Sequence, residues 1–257
     1  MIDLSYALAG ALTGLIVGLT GVGGGALMTP ILLLVFGVSP TTAIATDLWF
    51  AAITKIVGAR IHHTSGNVDW QIVKRLWWGS LPMALAIVLL VGTEVAEVGW
   101  LTKAIGIAVL LTAVGLLIAP RLAAIARHRR VSEPANFKKV QPALTVFSGA
   151  FLGLCVALTS VGAGALGSIL MMFLYPLRMT PHRIVATDIV HAIPLAMVAG
   201  IGYLFAGMVD WSMLGSLLVG SLPTVLIGGL LAQRFSGRKI QICLALTLLA
   251  VSIKVLI

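Results

Sequence analysis

Long apolar runs, interrupted by glycine, proline and charged residues, make up most of the chain. A helix that crosses the hydrocarbon core of a membrane, roughly 30 Å thick, needs about 20 mostly apolar residues. The pattern predicts ten helical segments, five in each half of the chain. They span residues 4–20, 22–36, 41–61, 72–91, 101–119, 142–159, 161–175, 181–205, 213–232 and 240–257.

Two of these segments, 22–36 and 161–175, are too short to cross a membrane comfortably. Irregular backbone is tolerated at membrane depth only where protein or a water-filled cavity surrounds it. We therefore expect each short segment to be a half-helix or one arm of a re-entrant hairpin. The number of complete crossings is left open.

The composition excludes a water-soluble domain. Of the 257 residues, 60% are hydrophobic and 10% are charged, whereas soluble domains carry about 25% charged residues. Most of the surface must face lipid.

The first run lacks a basic leader, so we expect a retained span. Cys155 and Cys243 lie in apolar stretches without metal-ligand spacing, and we expect neither a metal site nor a cofactor.

The positive charge is concentrated between the two halves of the chain. The formal net charge is +9, and residues 120–141 carry Arg121, Arg127, Arg129, Arg130, Lys138 and Lys139. The positive-inside rule places this stretch in the cytoplasm. We predict two membrane repeats, 1–119 and 142–257, joined by a basic cytoplasmic loop at 120–141, with both termini outside. Nucleic acid is not an expected partner.

The halves share a sequence repeat. Gly10-Ala11 and Gly14-Leu15 recur as Gly149-Ala150 and Gly153-Leu154, and Ala45-Thr46-Asp47 recurs as Ala186-Thr187-Asp188. Equivalent loops differ in charge, since residues 37–42 contain no base and their partner contains Arg178 and Arg183. The pattern predicts an all-α membrane protein of two inverted-topology repeats, about five helical segments each. This architecture is typical of secondary transporters.

Glycine-rich breaks at equivalent positions indicate a substrate site. The candidate substrate-binding residues are Thr20, Gly21, Gly23, Gly24 and Gly25 in the first copy and Thr159, Ser160, Gly162 and Gly164 in the second. Glycine lets backbone N–H groups approach a ligand, and a helix start carries about half a positive charge, so the breaks suit a small anion. The alternative is tight helix packing, which is how we interpret Gly10, Gly14 and Gly18.

Two carboxylates fall inside predicted spans and are repeat partners. Asp47 follows Thr46, and Asp188 follows Thr187. Because burying a carboxylate in lipid costs at least about 2.5 kcal/mol, coupling to a proton or Na⁺, or gating, is one interpretation. Structural capping is the other. His191, one turn after Asp188, is a further candidate for proton sharing or for a structural role.

Basic residues late in the third span have a simpler interpretation. Lys55 and Arg60 are expected to extend their charged groups to the cytoplasmic interface. A role in drawing anions into an inner vestibule is the alternative.

These motifs resemble the TauE/SafE family of sulfite exporters, also called the TSUP anion permeases. The paired breaks, the Pro40 to Asp47 stretch with its repeat, and Gly79-Ser80-Leu81-Pro82 carry the resemblance over nearly the whole chain. It implies a transporter of sulfite or another small sulfur-containing or organic anion, with the duplicated breaks at the site. Ser160 and Ala163 replace Gly21 and Gly24 in the second copy, which argues against exact two-fold ligation.

We therefore expect an inner-membrane exporter of a small oxyanion, sulfite or a short organosulfonate, that works by alternating access. Its expected partners are this anion and membrane lipid; a proton or Na⁺ coupling ion and a homo-oligomer are left open. The alternatives are a cation- or proton-coupled permease for another organic anion and a non-transport membrane assembly protein. An enzyme is not expected, because neither GxSxG nor HExxH occurs.

Overall fold

A computed structural model describes residues 2–20, 25–61, 67–91, 98–132, 134–162, 164–231 and 237–256. Across these ranges the secondary structure is ten α-helices without a strand, in agreement with the predicted all-α class. The helices are α1 (Leu4–Thr20), α2 (Gly25–Leu34), α3 (Pro40–Ile61), α4 (Trp70–Val91), α5 (Val98–Ser132), α6 (Pro134–Thr159), α7 (Ala165–Leu174), α8 (Pro181–Phe205), α9 (Trp211–Leu231) and α10 (Gly237–Leu256).

Six of these helices, α3, α4, α5, α6, α8 and α9, are long and apolar enough to cross a membrane. Large apolar side chains, among them Leu8, Leu85, Phe147 and Leu230, lie exposed on the outside of the bundle. Lipid is the medium in which such a surface is stable. A multi-pass membrane protein follows from these two features together.

The basic stretch between the halves differs from its prediction. It was expected to be a loop, but α5 continues through Pro120 to Ser132 and α6 begins at Pro134. Alanine, leucine and arginine are strong helix formers and dominate residues 121–130. Proline is favoured at the first position of a helix. The hydropathy pattern marks where the apolar run ends, and here the helix does not end there.

The two short helices form hairpins with the helices that precede them. Helices α2 and α7 have 10 residues each, or about 15 Å at 1.5 Å per residue, half of a hydrocarbon core. The rings of Tyr6 and Phe36 are 4.5 Å apart, so the end of α2 returns to the start of α1. Gln141, the eighth residue of α6, donates a hydrogen bond to the carbonyl oxygen of Leu174 at the end of α7.

Each hairpin packs against a helix of the other half through glycine. Gly10, Gly14 and Gly18 of α1 lie against Leu217, Ser221 and Val225 of α9, respectively. Gly149 and Gly153 of α6 lie in the same way against Leu76 and Ser80 of α4. Residue numbers rise together along both pairs, so the paired helices run in the same direction. The packing interpretation of the three α1 glycines is confirmed.

Helices α3 and α8, which carry the repeated aspartates, cross the centre of the molecule antiparallel to each other. Trp49 Nε1 donates to the carbonyl oxygen of Gly200, while Lys55, farther along α3, meets Asp188 near the start of α8. These two helices hold the candidate acids between the hairpins.

Candidate functional site

The break between α6 and α7 is an irregular turn of backbone with positive φ angles. Ser160 has φ 57°, Gly162 has φ 127° and Gly164 has φ 140°. The Thr159 hydroxyl donates to the carbonyl oxygen of Cys155 and accepts from the Val161 amide, which closes the end of α6. Left-handed φ disfavours residues other than glycine by about 1–2 kcal/mol, so Ser160 is a strained residue.

The start of α7 presents polar groups to the break. Gly164 caps the helix without a side-chain hydrogen bond. The amides of Gly167 and Ser168 bond to the carbonyl oxygens of Gly162 and Gly164, respectively. Ser160 is 5% exposed, and its hydroxyl has no hydrogen-bond partner within the described part of the chain. A buried polar group without a partner is destabilising, which makes this hydroxyl a candidate ligand group.

The first glycine-rich copy is only partly described. Thr20 is the last residue of α1 and Gly25 the first of α2. Gly21, Gly23 and Gly24, which were predicted to bind substrate, lie outside the described residues.

Asp47 is fully buried and contacts the hairpins of both halves. Its Oδ2 accepts a hydrogen bond of 2.5 Å from the Thr29 hydroxyl on α2. Its Oδ1 has no partner in the ranges that the structure describes. The Ser160 hydroxyl lies beside this carboxylate, beyond the length of a standard hydrogen bond. The observed hydrogen bond joins α3 to α2 and does not cap the start of α3.

Asp188 forms a buried ion pair with Lys55. The Lys55 Nζ is 3.0 Å from Asp188 Oδ2, and the side chains are 4% and 1% exposed, respectively. The expectation that Lys55 extends to the membrane interface is wrong, because a buried carboxylate on α8 holds its ammonium group. Asp188 Oδ1 lies against Gly167, in the first turn of α7, where a side chain would collide with it.

His191 is also buried, but its described hydrogen bond goes to a serine. Its Nε2 is 3.0 Å from the Ser80 hydroxyl, and its Nδ1 has no partner among the residues described. Its carbonyl oxygen accepts from Trp77 Nε1. Ser80 was not predicted as a site residue, although it lies in the repeated Gly-Ser-Leu-Pro motif, which was a usable signal.

The two threonines that precede the aspartates join the halves. The Thr46 hydroxyl accepts from the backbone amide of Asp210, and the Thr187 hydroxyl accepts from that of Asp69. Each contact is the repeat equivalent of the other with the halves exchanged. Both threonines thus hold a helix start, that of α9 or α4, against an aspartate-bearing helix.

One end of the bundle carries an ionic cluster. Asp69 is buried and contacts the guanidinium groups of Arg178, at 2.6 Å, and Arg183, at 3.3 Å. Its repeat partner Asp210 accepts instead from the amides of Ser212 and Met213 at the start of α9. Within the described ranges, the cluster links the halves at one end of the bundle.

The fold and the buried polar residues between its hairpins define a multi-pass helical membrane protein with a polar centre. The chain belongs to the sulfite exporter TauE/SafE family, whose model matches residues 6–255. It is therefore a membrane transporter, as predicted, and the family is not one of enzymes.

Relatives cover nearly the whole chain. The Bacillus subtilis protein named "Probable membrane transporter protein YjnA" is 38% identical over 99% of this chain and 100% of its own length. A second B. subtilis protein, named "Probable membrane transporter protein YdhB", is 29% identical over 84% of this chain and 85% of its own. A Xylella fastidiosa protein named "Probable membrane transporter protein" is 28% identical over 90% and 85%. No solved structure matches the chain.

Proposed function

We propose that this protein exports a small oxyanion, sulfite or a short organosulfonate, from the cytoplasm by alternating access. The observation that carries the proposal is the buried Ser160 hydroxyl in the break before α7, which has no hydrogen-bond partner among the described residues. The family to which the chain belongs supports the substrate class, since its description names sulfite.

The break has the chemistry that an oxyanion needs. A helix start leaves four amides without partners inside the helix, and those of Gly167 and Ser168 are used by the turn itself. The amides of Ala165 and Leu166 and the Ser160 hydroxyl are our proposed donors to the anion. The first copy, Thr20 with Gly21, Gly23, Gly24 and Gly25, is proposed to complete the site. Thr159 contributes less, because its hydroxyl donates to Cys155.

The proposed transport cycle rocks one repeat against the other. Its basis is an inverted repeat, which is supported by the antiparallel course of α3 and α8, whose Asp47 and Asp188 are equivalent in sequence. Repeats related by an axis along the membrane normal would place equivalent helices parallel. The glycine-lined pairs α1 with α9 and α4 with α6 join the halves.

The orientation follows from charge. We place the Asp69, Arg178 and Arg183 end and the basic stretch 120–141 in the cytoplasm of a cell inner membrane, with both termini outside. Outward movement of one negative charge gains about 2.3 kcal/mol per 100 mV of inside-negative potential. Export therefore needs no coupling ion in this scheme.

A coupled permease is the second candidate. It is favoured by Asp47, a fully buried carboxylate with one oxygen unpartnered among the described residues. Such a carboxylate suits a proton or a cation. In this version Thr46, Thr187, Asp188 and His191 support coupling or gating through the contacts described above.

Substitution of Ser160 by glycine tests the site. The first repeat has Gly21 at this position, and glycine adopts φ 57° without strain, so Ser160→Gly removes the hydroxyl while preserving the backbone. Losing one hydrogen bond to a charged ligand should raise the half-saturation concentration for sulfite about 10-fold. Radiolabelled sulfite flux in proteoliposomes measures it.

The matched control is Ser252→Ala. Ser252 is equally buried, but its hydroxyl donates to Leu249 in its own helix, so the half-saturation concentration should stay as in the wild type. Unchanged sulfite kinetics in Ser160→Gly would refute the site. Absence of flux for sulfite, organosulfonates and other small anions in the wild type would favour an assembly protein.

A further inference from the structure

Lys55 holds an unusual place among the charged side chains. It is the one buried lysine or arginine in the described part of the chain, and it lies six residues before the end of α3 at Ile61. Its partner Asp188 lies at a similar depth, seven residues after the start of α8 at Pro181. In the proposed orientation both side chains lie nearer the cytoplasmic end of the bundle.

The described surroundings of this pair add a second buried carboxylate, that of Asp47. Asp47 lies two turns earlier on α3, and the His191 side chain on α8 is bonded to Ser80. An anion that reaches the break would meet Asp47 and Asp188, whereas a helix start offers only about half a positive charge. Without a full positive charge nearby, two carboxylates would repel the proposed substrate.

We propose that Lys55 is a cationic ligand of the transported anion on its way from the cytoplasm to the break, and that Asp188 holds the Lys55 ammonium until the anion displaces it. The inference rests on the proposed function, because it assumes that the substrate is an anion. Lys55 is then a specificity-determining residue, and Asp188 competes with the anion for its ammonium group.

The position of Asp188 makes this exchange feasible. Its Oδ2 binds Lys55, while its Oδ1 lies against Gly167 in the first turn of α7. A carboxylate is stabilised near a helix start, so Asp188 keeps a favourable environment when Lys55 turns to the anion. Gly167 permits this approach because it has no side chain. Asp47 has no equivalent lysine, since Ala196 is the sequence partner of Lys55.

Single and double variants separate a ligand from a structural ion pair. Lys55→Met should raise the half-saturation concentration for sulfite about 30-fold or more, as expected for removal of one partner of a buried charge pair. Lys55→Arg, which keeps the charge, should retain measurable transport. Asp188→Asn removes the carboxylate that competes with the anion, so it should lower the half-saturation concentration for sulfite. Less sulfite should then also be needed to protect the detergent-solubilised protein against thermal unfolding.

The double variant Lys55→Met/Asp188→Asn removes both charges of the pair, so neither partner is left buried alone. If the pair is only structural, this variant should recover wild-type kinetics, and that result would overturn the proposal. Our expectation is that it resembles Lys55→Met. Weaker sulfite binding in Asp188→Asn would also overturn the proposal. Tyr203→Phe, which breaks a different buried contact of α8, to the carbonyl oxygen of Ala157, is the control and should leave the half-saturation concentration unchanged.

Failure of the proposed function gives a different result. In that case the wild-type protein neither transports nor binds a small anion, and Lys55 has no anionic ligand. If wild-type flux is present and insensitive to Lys55→Met, only the role of Lys55 is refuted.

Discussion

At the scale of single residues, the sequence identifies the buried acids of this membrane protein but not all of their partners. Asp47 and Asp188 stand out in apolar runs, because a carboxylate there is expensive and rare. Lys55 was misassigned, since its partner is 133 positions away in sequence and extension to the interface is the common behaviour of a lysine near a helix end. Which residues pair between two helices depends on the tertiary structure, and the hydropathy pattern does not predict it.

Glycines that support helix packing give a prediction for stability. A Cβ on Gly14 would lie 2.5 Å from the Thr224 hydroxyl and 2.6 Å from the Ser221 carbonyl oxygen. Gly14→Ala must therefore separate α1 from α9, and we expect a loss of about 1–3 kcal/mol. Thermal unfolding in detergent, followed by circular dichroism, measures the change.

Gly215 is the control for this substitution. It lies on α9 itself, and a Cβ there would have no neighbour within 4 Å. Gly215→Ala should leave stability unchanged or raise it by up to about 1 kcal/mol through helix propensity. Equal destabilisation by both alanines would show that packing against α1 is not the reason for Gly14.

At the scale of helices, the sequence predicted the order and type of the elements well. The bounds of α1 and α8 match the predicted segments, and the short α2 and α7 lie within the two segments that were predicted to be too short to cross a membrane. The extension of α5 beyond residue 119 was missed, because amphiphilic, arginine-rich sequence continues a helix after the apolar run has ended. The return of each short helix beside its predecessor depends on contacts between elements, such as Tyr6 with Phe36.

The starts of α4 and α9 provide a test of the inverted repeat. Gln71 and Ser212 are each the second residue of their helix, are exposed, and are repeat partners. In a background without Cys155 and Cys243, Ser212→Cys should react with a membrane-impermeant maleimide added to intact cells. Gln71→Cys should react only after the membrane is permeabilised, because equivalent positions of inverted repeats face opposite sides.

Each outcome of the labelling is informative. Reaction of both cysteines from the same side would contradict the inversion and favour parallel repeats. Reaction of Gln71→Cys alone in intact cells would keep the inversion but reverse the orientation proposed from charge.

At the scale of the whole molecule, the two halves share a sequence repeat but differ in charge. Backbone packing is repeated, as in the contacts of Thr46 with Asp210 and Thr187 with Asp69. The charged contacts are not repeated among the described residues. Neither the Lys55–Asp188 pair nor the contacts of Arg178 and Arg183 with Asp69 have an equivalent, and the sequence partner of His191 is Phe50. The sequence reveals which residues differ between the halves, and the structure shows which of them contact each other.

The most direct test of the central claim is sulfite distribution across proteoliposomes under an imposed potassium diffusion potential, without a pH or Na⁺ gradient. A uniporter should shift the equilibrium ratio of a monovalent anion about 50-fold per 100 mV, the negative compartment being depleted. A distribution ratio that does not change with the imposed potential would contradict potential-driven anion export. Flux that requires a pH gradient and is lost in Asp47→Asn would contradict uncoupled export and favour the coupled permease.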